Sequence, residues 1–174
     1  MRITFYLDDE RRIELDDQRR WASVQIIHDL SEVTGELGPD ALDPTFTAGQ
    51  FIEVVKKRRM PIKSLLMDQH VLAGVGSIYA GEALHRAGIS PLRPGTRISK
   101  ERLAALHEAI RTSLALAVQH IVANPNDDGS PLDAYDDRMR LPRKKGAPCP
   151  DCGTTLSYHK IGGRTAYFCK HCQK

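Results

Sequence analysis

Cys149-Pro150-Asp151-Cys152 and, sixteen residues further on, Cys169-Lys170-His171-Cys172 contain all four cysteines of this 174-residue chain. Each short knuckle turns two thiolates to one side. Two knuckles supply the four soft donors of a tetrahedral structural zinc site, with metal–sulfur bonds of about 2.3 Å. A redox dithiol needs only one such pair, and disulfides, the alternative, rarely use every cysteine in this pattern. The reading is one structural Zn2+ held by Cys149, Cys152, Cys169 and Cys172. With no open coordination position, that ion holds a fold together and does no chemistry.

The knuckles sit in a basic segment. Residues 138–174 carry nine Lys or Arg against one acid, Asp151, an excess of +8. Four thiolates on one Zn2+ subtract two charges, leaving about +6. Either this module binds a polyanion or its basic surface merely keeps it soluble. The whole chain is closer to balance, at +3, with 41 % hydrophobic and 27 % charged residues. That composition fits one or two small globular domains. No apolar run has membrane-spanning length, Met1-Arg2-Ile3-Thr4 does not read as a signal peptide, and reduced cysteines point to the cytoplasm.

Upstream of the knuckles, residues 126–137 hold five Asp and no base and read as a linker. Before it, Ser99 caps a long helix whose core stripe is Leu103, Leu106, Ile110, Leu114, Val118 and Ile121. His107 and His120 lie in this helix and read as packing or surface residues. Pro61 starts a short helix over 62–67, Gly74-Val75-Gly76 makes a turn, and Ser77–Ala87 forms a helix closed by Gly88. The glycines permit a tight turn, or they let backbone N–H groups face a phosphate. Asp43-Pro44 reads as the start of an earlier helix. It ends in Lys56-Lys57-Arg58-Arg59, where the basic cluster suits either the helix dipole or phosphate. In the first 27 residues, alternation predicts strands around Ile3-Phe5-Leu7, Ile13-Leu15 and Trp21–Ile27. Three short strands form no stable sandwich alone.

The stretch Leu65-Leu66-Met67-Asp68-Gln69-His70-Val71-Leu72-Ala73-Gly74-Val75-Gly76-Ser77-Ile78-Tyr79-Ala80-Gly81-Glu82-Ala83-Leu84 resembles the helix-two-turn-helix segment of the formamidopyrimidine-DNA glycosylase/endonuclease VIII family. Ala87-Gly88-Ile89-Ser90-Pro91 continues the match. Gly163-Arg164-Thr165-Ala166-Tyr167-Phe168-Cys169-Lys170-His171-Cys172-Gln173 resembles its zinc-finger hairpin, and Asp17-Gln18-Arg19-Arg20-Trp21 the end of its N-terminal β-sandwich domain. The resemblance implies an α+β fold in three parts. Residues 1–37 are then a β-sandwich remnant, 43–125 a helix-two-turn-helix DNA-binding domain, and 138–174 the zinc finger.

Members of that family remove oxidised bases from DNA and cut the strand at the abasic site, after flipping the damaged nucleotide from the duplex. The resemblance therefore implies base excision repair, with damaged or abasic double-stranded DNA as partner and no membrane. It makes Arg164, at the hairpin tip, a phosphate contact implicated in the final elimination, a task suited to a forked, permanent cation. Arg19 matches the arginine that fills the gap left by the flipped base. Trp21 stands where the family usually has a phenylalanine wedge, and is otherwise a core residue. Arg59, four residues before Lys63, matches a DNA-binding lysine, with its charge kept though not its shape; Lys63 and Gly76 at the turn join the expected DNA contacts, and Ser77 stands where the family has a phosphate-binding asparagine. Glu82 matches a structural glutamate.

The family's nucleophile is an N-terminal proline followed by glutamate, a covalent amine catalyst. Here the chain begins Met1-Arg2, and its first proline is Pro39. The expectation is a truncated member that binds DNA without the catalytic N-terminus. Two alternatives stand beside it. In one, glycosylase/AP lyase activity returns when another segment or a partner chain supplies the missing half. In the other, the chain is a zinc-ribbon module for RNA or protein.

Overall fold

The computed structural model describes residues 2–17, 20–124 and 139–174. The acidic linker and Arg19 lie outside the described residues. The chain divides into two compact units, Met1–Gly35 and Glu36–Lys174.

In the first unit, β1 (Arg2–Tyr6) and β2 (Arg12–Asp16) pair antiparallel, with Ile3 opposite Leu15 and Phe5 opposite Ile13. A one-turn helix, α1 (Ser31–Thr34), follows. The third strand expected over Trp21–Ile27 does not form: these residues are irregular, with Trp21 79 % and Ile26 91 % exposed. Among the described residues they join neither of the two sheets, so the alternation alone makes no strand. The core alternative for Trp21 fails with it.

The second unit is built on helices. α2 (Ala48–Lys56) starts later than Asp43-Pro44 suggests. Asp43 instead closes a local turn, its Oδ1 accepting the Thr45 N–H at 2.7 Å. Thr47 is the true cap. Its hydroxyl accepts the Gln50 N–H while Gln50 Oε1 accepts the Thr47 N–H, which satisfies two otherwise orphaned donors reciprocally. The basic end of α2 is partly spent on backbone: Lys56 Nζ donates to the carbonyls of Thr96 and Ile98, and Arg58 to that of Val54. Arg59 stays exposed.

α3 (Ile62–Leu66) and α4 (Ser77–Arg86) flank the glycine turn, as expected. Gly74 takes φ +85°, the left-handed region that glycine enters freely, and Gly88 does the same after α4 at +64°. α5 (Lys100–Ala123) is capped by the Ser99 hydroxyl, which accepts the Arg102 N–H. Its stripe is buried from Leu103 through Leu114, but Val118 is 49 % exposed. The amphipathic period continues where the core does not. Phe51, Val55, Leu65, Leu66, Leu84, Ile89, Leu103 and Leu106 form one cluster across α2 to α5. Each such side chain contributes roughly 1.5–3 kcal/mol of transfer free energy. His107 packs against this core, its ring touching those of Phe46 and Phe51, with Nε2 3.0 Å from the Phe46 carbonyl.

The finger closes the chain. β3 (Ser157–Ile161) and β4 (Arg164–Phe168) form a hairpin around Gly162-Gly163. Both glycines have positive φ, 55° and 75°, the two-residue turn that matches strand twist. Leu141, Cys149, Leu156 and Cys169 form its own small core. Its tail is stitched to the end of α4: Lys174 N–H donates to the Gly88 carbonyl and Ser90 N–H to the Lys174 carbonyl. Gln173 Nε2 donates to the Ile89 carbonyl at 2.9 Å.

Candidate metal centre and anion cleft

The four predicted thiols converge. Cys149 Sγ lies 3.9 Å from Cys172 Sγ, and Cys152 Sγ 3.5 Å from Cys169 Sγ. All four sulfurs lie within 4.8 Å of one another. Zinc–sulfur bonds of about 2.3 Å give a tetrahedral edge of about 3.8 Å, so the donors fit Zn2+. Disulfide sulfurs would stand about 2.05 Å apart, which excludes that alternative here. Local backbone shapes each knuckle. Gly153, at φ +72°, returns its N–H to the Cys149 carbonyl, and Cys149 N–H reaches the Thr154 carbonyl. In the second knuckle, Gln173 Oε1 accepts the Cys169 N–H, and the Cys172 N–H points at Cys169 Sγ. The finger holds one structural zinc ion.

A cleft opens where the finger meets the helices. Lys63 of α3, Ser77 and Glu82 of α4, Arg143 before the first knuckle, and Thr165 and Tyr167 of β4 line it. Lys63 is only 2 % exposed, and no ion pair to it occurs among the described residues. Burial, then the nearby Arg143 guanidinium, lower its pKa from 10.5 to about 8. The Ser77 hydroxyl is buried without a hydrogen-bond partner among the described residues. It sits in the first turn of α4, whose N-cap, Gly76, is extended and supplies no side chain. The N–H groups of Ser77 and Ile78 at that helix end lie beside two cations. Glu82 is not their counter-ion: it is 4 % exposed and its Oε1 accepts the Leu141 N–H at 2.7 Å, the structural role expected of it. Such a constellation suits a tetrahedral oxyanion.

The structure brings Lys63, Gly76 and Ser77 together. Arg164 is exposed at the hairpin turn, one residue from Thr165 of the cleft. The turn rests beside α3, because a Cβ on Gly162 would lie 3.4 Å from Met67 Cε. Arg59 is exposed just ahead of α3, and Trp21 belongs to the first unit. No sequence signal marks Arg143, Thr165 and Tyr167 as cleft residues, since only the docking of the finger carries them to Lys63. His85 was missed as well. It carries no motif, yet its ring reaches the first knuckle.

Comparison with known proteins matches two family models, "Formamidopyrimidine-DNA glycosylase H2TH domain" over residues 37–124 and "Zinc finger found in FPG and IleRS" over residues 146–174. A formamidopyrimidine-DNA glycosylase of Chloroflexus aggregans is 38 % identical over 172 residues, covering 96 % of this chain and 62 % of the relative. The crystal structure of the MutM (Fpg) protein of Thermus thermophilus superposes with a TM-score of 0.81 at 34 % identity, over 98 % of this chain and 67 % of that one. A Lactococcus lactis Fpg bound non-covalently to DNA with an AP site gives a TM-score of 0.69 at 27 % identity, over 80 % and 51 % of the two chains. The chain thus spans somewhat less than two thirds of the curated relatives it matches, 62 % and 66 % in two of them. A helix-two-turn-helix model that matches half the chain, followed by the matched four-cysteine finger, settles its kinship: the chain belongs to the formamidopyrimidine-DNA glycosylase/endonuclease VIII family.

Proposed function

We propose that this chain binds damaged or abasic duplex DNA in base excision repair, gripping the sugar–phosphate strand between the glycine-turned helix pair and the zinc hairpin. The observation that carries this is the buried Lys63 ammonium. Among the described residues it has no counter-ion, and it shares its cleft with a Ser77 hydroxyl that has no hydrogen-bond partner there, at a helix N-terminus without a side-chain cap. A phosphate would satisfy all three at once. Phosphate contacts position a duplex without reading its sequence, as a search for damage requires. Arg59, Gly76 and Arg164 extend this grip, and Arg19 and Trp21 are assigned to the gap at the flipped nucleotide.

The test is affinity for abasic duplex against intact duplex and RNA across a salt series. Preference for abasic duplex, with a slope of about −0.9 per phosphate neutralised, is expected. A preference for RNA would favour the zinc-ribbon reading instead. Arg164→Ala should weaken abasic-site binding more than Lys174→Ala; equal losses would remove Arg164 from the grip.

One observation favours the catalytic alternative. None of the described residues of the first unit is buried, and Phe5, Tyr6 and Ile13 of its hairpin are exposed. Two strands alone are marginal in water, so further polypeptide packing on this hairpin would complete a sheet. If that polypeptide also brought an amine nucleophile, borohydride would trap a covalent adduct on abasic DNA when both are mixed. No adduct from the chain alone, and one from the mixture, is the expected pattern for this alternative.

A further inference from the structure

His85 is a buried polar residue that neither the thiolate set nor the cleft employs. Its side chain is 0 % exposed, near the C-terminal end of α4. Nε2 lies 3.5 Å from Cys149 Sγ and 3.7 Å from Asp151 Oδ2. Nδ1 is buried and has no hydrogen-bond partner among the described residues.

These contacts decide where the ring proton sits. A proton on Nδ1 would be a buried donor with no acceptor, and it would aim the Nε2 lone pair at a thiolate and a carboxylate. A proton on Nε2 faces both anionic acceptors and leaves only a lone pair unmatched, the smaller cost. Protonating both nitrogens restores the orphan donor. Of the two acceptors, sulfur is favoured. A distance of 3.5 Å suits a large, diffuse sulfur, whereas 3.7 Å is beyond hydrogen-bond range for oxygen. Asp151 is already engaged through Oδ1 by the Arg140 guanidinium.

We propose that His85 donates its Nε2–H to the metal-bound thiolate of Cys149, and so acts as a positioning residue that joins α4 to the zinc centre. The bond draws charge from one sulfur and fixes the first knuckle against the helix. Ser77 stands in the first turn of that same helix, so the cleft and the metal share one rigid strut. The inference rests on the zinc site alone and is independent of any DNA-binding role.

The direct test uses the full chain loaded with 113Cd and labelled with 15N. A scalar coupling between 113Cd and the Nε2 proton of His85, transmitted through sulfur and the hydrogen bond, is the expected result. Absence of that coupling would overturn the proposal, as would ring nitrogen shifts that place the proton on Nδ1. A one-bond 113Cd–15N coupling would make His85 a ligand and overturn it equally. A second measurement uses zinc transfer to a competing chelator. His85→Phe should release zinc about tenfold faster than wild type at unchanged helical circular dichroism. His85→Gln, which keeps an N–H near the Nε2 position, should recover most of the difference. Equal rates for wild type and His85→Phe, or for His85→Phe and His85→Gln, would count against the bond.

Discussion

Lys63 keeps an ammonium in a place where solvent barely reaches it and no carboxylate among the described residues pairs with it. With a folded-state pKa of about 8 against 10.5 unfolded, the unfolded chain binds more protons across that window. Stability of the free protein should therefore rise as pH climbs from 8 to 10.5, and below 8 the full cost is present. Lys63→Met removes the cost. It should be more stable than wild type at pH 7 by about 1–3 kcal/mol, with the gap closing above pH 8, as thermal melts at several pH values would show. The same change should weaken DNA binding about tenfold or more. Wild-type affinity should fall as pH passes 8, because the phosphate-binding form is the protonated one. A flat pH profile in the wild type would remove Lys63 from the interface. A site destabilised in the free state and stabilised by its ligand is a common mark of binding machinery.

At the scale of elements, the helices were legible wherever a cap and an apolar period agreed. Ser99 with α5, Pro61 with α3, and Gly88 after α4 are of this kind. The misreadings have local causes. Asp43-Pro44 carries helix-start residues, but Asp43 spends its carboxylate on Thr45, and Thr47 with Gln50 makes the stronger reciprocal cap. Thr47→Ala should accordingly cost about 1 kcal/mol in denaturant unfolding, whereas Asp43→Ala should leave α2 intact. Trp21–Ile27 has a strand's alternation but joins no sheet among the described residues, and pairing is what makes a strand. The zinc ligands could be read outright, because both knuckles are local in sequence. The cleft could not, because it needs α3, α4 and β4 to meet, and no spacing rule encodes that meeting. Gly38 is a further case of non-local constraint. A Cβ there would stand 2.6 Å from the Val71 carbonyl carbon, backbone that cannot yield. Gly38→Ala should lower stability by about 1–3 kcal/mol.

Across the whole of the Glu36–Lys174 unit, two cores of unequal size share the load. The helical cluster is large and aliphatic, whereas the finger's buried set is small and half cysteine. Stripping zinc with a strong chelator should unfold the hairpin and open the cleft, since Thr165 and Tyr167 would leave it. The helical circular dichroism should largely survive, while DNA binding falls. Loss of helix and hairpin in one transition would show instead that the small core supports the large one. Among the described residues no helix is long and apolar enough to cross a membrane. The basic excess of residues 138–174 belongs to the sequence segment that also carries Arg143 to the cleft and Arg164 to the exposed hairpin turn.

The tail that runs back along the end of α4 has one more consequence. Gly88 has φ +64°, and a Cβ on it would come within 3.3 Å of the Cys172 carbonyl oxygen. A methyl group in the helical half, far upstream of any cysteine, would thus push on a metal ligand's own backbone. Anyone screening for variants that lose their ion should expect hits among the helices, and how firmly the ion is kept becomes a sensitive gauge of how well the two halves are seated.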